Sequence, residues 1–333
     1  MANLATTVQW DTIRSLTHPK VAQKISDNIT KQIPLIYFLN KIGHKEYENG
    51  GYNYMFPVLK EFPNVQGYTG LTVLDSQEAD PVTSAIFERK QLTVPIMLSG
   101  TKLLQNSGND PTAIVSYIAA QIEIAEEAMK DAMAGTAKGI MSALNESDMT
   151  GITGLQTMLG TNASTLLTTG TVGGLDRAVY SFWRQQSYSV GTGFSTNGLI
   201  GMRTLYVNTF RGDEAPSVVV MNLASYINLD TALTGSITYN TPSPKTQFGD
   251  IGFEHLMFRG AVVLPDVYVP ANTAYFLNLK YLKLIVHQER DMAIRDFIAP
   301  ENQDGLLGRI YWAGNLVCSN LARQGILYGV IDA

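Results

Sequence analysis

A single cysteine, Cys318, stands in 333 residues, so no disulfide framework can form within the chain. Charge is also scarce. Asp, Glu, Lys and Arg make up 16% of the residues, against roughly a quarter in an ordinary domain, while 45% are hydrophobic. A surface so short of charge needs cover, and partner subunits are the simplest cover, because large apolar patches are rare on monomers. No basic run occurs and the net charge is −5, which excludes a direct reader of nucleic acid held by Lys and Arg. It does not exclude a container whose slightly acidic wall lets packed DNA slide. No apolar stretch approaches the roughly 18 residues of a membrane span, and Met1 to Asp11 lack the apolar core of a signal peptide. A soluble chain made in a reducing cytoplasm is expected.

The chemistry of an enzyme is equally thin. His18, His44, His255 and His287 are too far apart in sequence for a zinc-binding spacing. There is no phosphate-binding G-x-x-x-x-G-K-[ST] and no G-x-S-x-G elbow. Gly191, Gly193 and Gly198 lie in a polar loop without a dinucleotide fingerprint. Cys318, in NLVCSN, reads as a buried inert thiol. Glu123, Glu126, Glu127 and Asp131 read as a solvated helix face, and Arg290, Asp291 and Arg295 as a surface or inter-subunit ion-pair group. No catalytic, cofactor or metal residue is assigned.

What is present is architecture. Residues 1–45, interrupted by Pro19 and Pro34, read as an arm without a deep core, with helical turns near Pro19 to Ile29. Tyr52, Tyr54 and Phe56 alternate with Asn53, Met55 and Pro57, and Ile86 to Met97 is a second strand. Between them lies a long tip with Gly67 and Gly70. This is an extended hairpin, which cannot be stable alone and should pack on a neighbour. Asp110 and Pro111 open a helix whose stripe is Ile114, Ile118, Ile122, Ala125, Met129 and Met133. Run to Ala134, it would be about 36 Å long. Helices are also expected over Leu175 to Gln186, Asn197 to Phe210 and Leu223 to Leu233. Residues 150–175, rich in Gly and Thr, read as a loop or short strands, and Thr241 to Asp250 as a turn-rich loop. Strands are expected at Ser217 to Met221, Phe253 to Leu264, Ala274 to Val286 and within Gly308 to Val330. The order is α+β, without βαβ alternation or a fixed-period repeat.

Three stretches carry a family likeness. Phe258 to Leu284 (FRGAVVLPDVYVPANTAYFLNLKYLKL), Ala215 to Leu229 (APSVVVMNLASYINL) and the ending with Phe297, Pro300, Gln303, Trp312, Gly314, Gln324 and Gly325 resemble the major capsid proteins of tailed double-stranded DNA bacteriophages. The order arm, hairpin, spine helix is similar to their fold, often called the Hong Kong ninety-seven fold. These are packing patterns rather than catalytic signatures.

The resemblance implies an N-terminal arm over 1–45, an extended hairpin called the E-loop over 46–100, and a peripheral domain with the spine helix over 101–215. It implies an axial domain over 216–295 and a return to the peripheral domain over 296–333. It implies hexamers and pentamers tiling an icosahedral head around double-stranded DNA, bound without sequence specificity, assembled in the host cytoplasm and needing no cofactor or membrane. Tyr68, Leu71 and Val73 at the hairpin tip are the implied inter-subunit contacts. A portal protein and a decoration protein are implied partners. Some members carry a helix-rich scaffolding segment ahead of the arm; either a separate scaffolding protein serves that role here or such a segment has been removed, and Met1 at the opening favours the separate protein. Some capsids also cross-link a hairpin lysine to a neighbour's asparagine. Lys60 and Lys90, with Asn302, Asn315 and Asn320, are in place by sequence, but ordinary surface lysines are expected. The rival readings are an encapsulin-like shell around a protein cargo, another virion component, and an enzyme of unfamiliar family.

Overall fold

A computed structural model of the chain describes residues 34–41, 44–74, 80–105, 117–161, 168–191, 193–234 and 256–329. The arm before residue 34, the helix start at Asp110 and Pro111 with Ile114, the Thr241 to Asp250 loop, and His18 and His255 lie outside these residues.

In chain order the elements begin with helix α1 (Pro34–Lys41) and strands β1 (Lys45–Glu48), β2 (Asn53–Leu59), β3 (Val82–Glu88) and β4 (Lys90–Ser99). Helices α2 (Gly100–Gln105), α3 (Tyr117–Ala134) and α4 (Leu155–Leu159) follow, then strands β5 (Thr171–Val172), β6 (Leu175–Asp176) and β7 (Gln186–Ser189). Helix α5 (Leu199–Thr209), strand β8 (Val218–Met221) and helix α6 (Leu223–Thr234) come next. The chain closes with β9 (Leu256–Phe258), β10 (Ala261–Pro265), β11 (Thr273–Leu277), β12 (Leu282–His287), β13 (Ala293–Ile298), β14 (Gly305–Cys318) and β15 (Gly325–Tyr328). The mixture is α+β, as expected. Among the described residues no helix is long and apolar enough to cross a membrane.

Two compact units divide these elements. The first takes residues 94–105, 117–128 and 294–310; the second takes the remaining described residues. In the first, β13 and the end of β4 flank the opening of β14, and the Gly100 N–H donates to the Asp304 carbonyl at 3.1 Å.

The second unit has two large sheet systems beside the two-stranded β2-β3 and β5-β6 sheets. In one, β1 runs parallel to β12, and β12 runs antiparallel to the later part of β14 in the register Leu282↔Cys318 to Val286↔Gly314. A side chain at Gly314 would put its Cβ 2.4 Å from the Ile285 carbonyl, so only glycine lets these strands close. In the other, six strands run in the order β7-β15-β11-β8-β10-β9. All four residues of β8 are buried, which is why Val218 to Met221 is a continuous apolar run. Met202 and Leu205 of α5 and Leu229 of α6 join Val219, Met221, Val263 and Phe276 in one core on one face of this sheet. On α3, Ala125, Met129 and Met133 of the expected stripe are buried and Ile122 is half-buried.

The structure differs from the sequence reading at several points, among them the helix α4 in a stretch read as a loop or short strands. Residues 34–41, read as part of an arm without a deep core of its own, form α1, which buries Leu35, Ile36, Phe38 and Leu39. Leu175 to Gln186 is not an α-helix, and its only helical part is a 3-10 turn at Ser181–Trp183. The chain turns just before this stretch at Gly173 and Gly174, both at positive φ, and Arg177 is buried with its guanidinium donating to the carbonyls of Thr157, Met158 and Gly170 and to Gln185 Oε1. Those tertiary bonds override helix propensity. Phe253 to Leu264 holds a hairpin: Arg259 and Gly260, at φ 49° and 89°, form a two-residue loop between Phe258 and Ala261. Ala274 to Val286 is two strands in two sheets, separated where the Asn278 carbonyl accepts from the Tyr281 and Leu282 N–H groups. The six-stranded sheet also does not follow the 216–295 span. It recruits β7 and β15 from outside, while β12 pairs elsewhere.

Candidate assembly surface

The hairpin expected from alternation is formed by β2 and β3, antiparallel from Asn53↔Glu88 to Leu59↔Val82. Because side chains alternate across a strand, this register sorts them onto two faces. Tyr54, Ala85 and Phe87 lie on one face and are buried within the second unit, where the Ile86 N–H also donates to the Gly173 carbonyl at 2.8 Å. Met55, Leu59 and Val82 lie on the other and are exposed.

Beyond the strands the neck is closed by the Lys60 N–H donating to the Pro81 carbonyl at 2.8 Å. The end turns at Thr69 to Thr72, where the Thr72 hydroxyl donates to the Thr69 carbonyl at 2.8 Å. Tyr68, Leu71 and Val73 all sit here and are all exposed, Leu71 completely at 103%. Phe62, Val65 and Leu74 are exposed beside them; the sequence reading did not single these out. Their signal was large apolar residues in a glycine-containing stretch with no periodicity to bury them. Six such side chains at one end of the hairpin form an apolar surface that the described residues leave uncovered.

The base of the hairpin is held by charge. Lys90, expected on the surface, is fully buried: its ammonium donates to the main-chain carbonyl of Glu146 and lies 3.9 Å from Glu88 Oε2. Burial lowers its pKa, and burial also raises that of Glu146, whose Oε1 has no hydrogen-bond partner. Asn315 is buried too, donating to the Glu88 carbonyl at 2.7 Å and accepting from the Thr153 N–H at 2.9 Å. Both are committed within their own chain, which removes Lys90 and Asn315 from any set available to a neighbour. Lys60 stays partly exposed at the neck, Asn302 is exposed and Asn320 half-buried.

Several other polar groups singled out by sequence also find partners. Asp291 pairs with Lys45 at 2.5 Å and accepts from the Tyr47 hydroxyl at 3.0 Å, so this ion pair is within the chain and not between subunits. Arg290 donates to Gln91 at 2.8 Å and lies over the Tyr311 ring. Asp131, expected on a solvated face, accepts from the Tyr268 hydroxyl. Burial and that bond raise the Tyr268 phenol to about 12. Cys318 is buried, which pushes its thiol up to about 12. Among the described residues, no three His, Cys, Asp or Glu side chains converge as metal ligands.

No protein-family model matches the sequence, and no curated protein is similar to it. Solved structures are similar along the whole chain. The capsid asymmetric unit of cyanophage A-1(L) has a TM-score of 0.67 at 17% identity, covering 96% of this chain and 99% of that one. The capsid of the native GTA particle has a TM-score of 0.60 at 12% identity, covering 100% and 99%. The SrpI encapsulin of Synechococcus elongatus PCC 7942 has a TM-score of 0.56 at 11% identity, covering 96% and 95%. End-to-end coverage with so little shared sequence means that the backbone path is what these chains have in common, and this chain has the Hong Kong ninety-seven fold of capsid shell proteins.

Proposed function

We propose that the chain is the major capsid protein of a tailed double-stranded DNA bacteriophage, assembling as hexamers and pentamers into the icosahedral head. The observation that carries this reading is the apolar tip of the hairpin, uncovered within the chain, on a fold that matches capsid proteins from end to end. Tyr68, Leu71 and Val73 contact an adjacent copy. The role is structural and not enzymatic. The head encloses DNA without reading its sequence, consistent with a net charge of −5. A separate scaffolding protein, a portal and a decoration protein complete the particle, which forms in the host cytoplasm.

A second reading, an encapsulin-like shell around a protein cargo, is favoured by the likeness to SrpI encapsulin, though its TM-score is lower than that of the cyanophage capsid. Negative-stain electron microscopy of the purified chain, alone and co-expressed with its neighbouring genes, tests both. Closed shells, or capsomers that convert to them, support the shell role, and their contents, DNA or protein, separate the two readings. A species that stays monomeric or dimeric throughout removes both.

A further inference from the structure

Two asparagines of the chain precede a glycine, in the pairs Asn49–Gly50 and Asn197–Gly198. In such a pair the main-chain nitrogen of the second residue can reach the side-chain carbonyl carbon of the first. Glycine, without a Cβ, obstructs that approach least. The two pairs share a sequence and have opposite settings.

Asn49–Gly50 lies in the link of residues 49–52 between β1 and β2. Both residues are exposed, and a Cβ on Gly50 would meet nothing within 4 Å. Among the described residues neither the Asn49 side chain nor the Gly50 N–H has a hydrogen-bond partner. Only the Gly50 carbonyl is held, accepting from the Arg89 guanidinium at 2.7 Å. Asn197–Gly198 ends the helical turn Phe194–Gly198 that leads into α5. Gly198 is buried at a helical φ of −59° and ψ of −51°, and a Cβ there would stand 2.5 Å from the Phe194 ring. Bringing the Gly198 nitrogen onto the Asn197 side chain requires that this turn first unwind.

We infer that Asn49 is a site of spontaneous covalent modification, converting through a cyclic imide to aspartate and isoaspartate. The Gly50 main-chain nitrogen loses its proton and bonds to Asn49 Cγ, the Cγ–Nδ2 bond breaks, and ammonia leaves. Water then opens the ring. Opening at one carbonyl gives aspartate; opening at the other routes the main chain through the side-chain carbon, which is isoaspartate. Nothing is oxidised or reduced, and water is the only co-reactant. Either product places a negative charge at the root of the hairpin. Isoaspartate also adds one main-chain carbon between strands whose registers are fixed, Glu48↔His287 on one side and Asn53↔Glu88 on the other. The root of the hairpin must shift to absorb it. The inference stands on the geometry of this link and is independent of the shell reading.

The test is a time course of the full chain in mildly alkaline buffer, folded and in urea, read by peptide mapping with fragmentation that distinguishes isoaspartate from aspartate. In the folded chain Asn49 should convert at least about tenfold faster than Asn197, the factor imposed by about 1.4 kcal/mol of local opening. In urea the two rates should converge. Equal rates in the folded chain overturn the inference, as does an Asn49 that stays intact there while it converts in urea. A urea-unfolded chain in which neither asparagine converts overturns it too. Gly50→Ala supplies a second arm: the position is open and outside the left-handed region, so the variant should fold, and its added methyl should slow conversion at Asn49 severalfold. A folded Gly50→Ala chain that converts at the parent rate overturns attack by that nitrogen.

Discussion

The ammonium of Lys90 donates to the main-chain carbonyl of Glu146, and the whole lysine side chain is removed from solvent. One charge thereby ties the start of β4, just past the hairpin, to the loop of residues 145–150. Removing it leaves the carboxylates of Glu88 and Glu146 beside an empty space. Lys90→Ala should cost about 1.5–3 kcal/mol, the worth of a hydrogen bond to a charged group. Lys90→Met, which keeps the volume, should cost less. Chemical denaturation of both variants measures the difference. Equal and negligible losses would mean that the buried charge contributes nothing to holding the hairpin base.

Replacing Tyr68, Leu71 and Val73 together by serine should separate folding from assembly. These side chains are exposed, so the thermal midpoint should stay within the range of surface substitutions, about 0.5 kcal/mol each. Sedimentation should show the assembled species lost. Normal assembly would show that the tip is not a contact.

Asp266 gives a pH dependence with a definite sign. Its carboxylate accepts from the main-chain N–H groups of Tyr268 and Leu35, yet burial raises its pKa from 3.8 to about 6. A folded value above the unfolded one means that the folded state holds the proton more tightly. The contribution to stability is thus complete below pH 4 and is lost as pH rises from 4 to 6. Asp266→Asn keeps the acceptor oxygen without the charge. It should raise the thermal midpoint at pH 7 and flatten the difference between pH 4.5 and pH 7. Parallel profiles for the two proteins would assign the pH dependence to other groups.

Gly314→Ala should destabilise the chain by about 1–3 kcal/mol, because its new methyl would meet a backbone carbonyl that cannot swing away. Gly174→Ala serves as the comparison: nothing lies within 4 Å of its would-be methyl, and its cost is that of a positive φ alone. Urea midpoints of the two variants decide whether closeness or conformation dominates at Gly314.

Where period and burial agree, the fold was legible. The apolar run at Val218 to Met221, the helix after Leu223, the Ala125, Met129 and Met133 face and the alternation in Asn53 to Leu59 each state their own environment. Change of partner was not legible. Thr273 to Leu277 and Leu282 to His287 are both apolar, and nothing in their spacing says that the chain changes sheet at Asn278. Arg177 defeated the reading of Leu175 to Gln186 because its partners lie up to 20 residues away. The Arg259–Gly260 turn lacks the asparagine or aspartate that usually marks such a loop. Lys90 read as a surface residue because lysine is almost never fully buried unless paired. The tip residues were legible as a region. Their surroundings were not, because an exposed side chain carries no signal of what covers it.

The exposure of Leu71 bears on how the chain can change over evolutionary time. A substitution there is nearly silent in the isolated subunit, so selection for folding scarcely sees it. If the tip is a contact, the same substitution is copied into every subunit at once, and a loss too small to notice in one pair is multiplied around the particle. The tip is then free to vary only in step with whatever receives it, and since one gene encodes both, compensating changes travel together on the same strand of DNA.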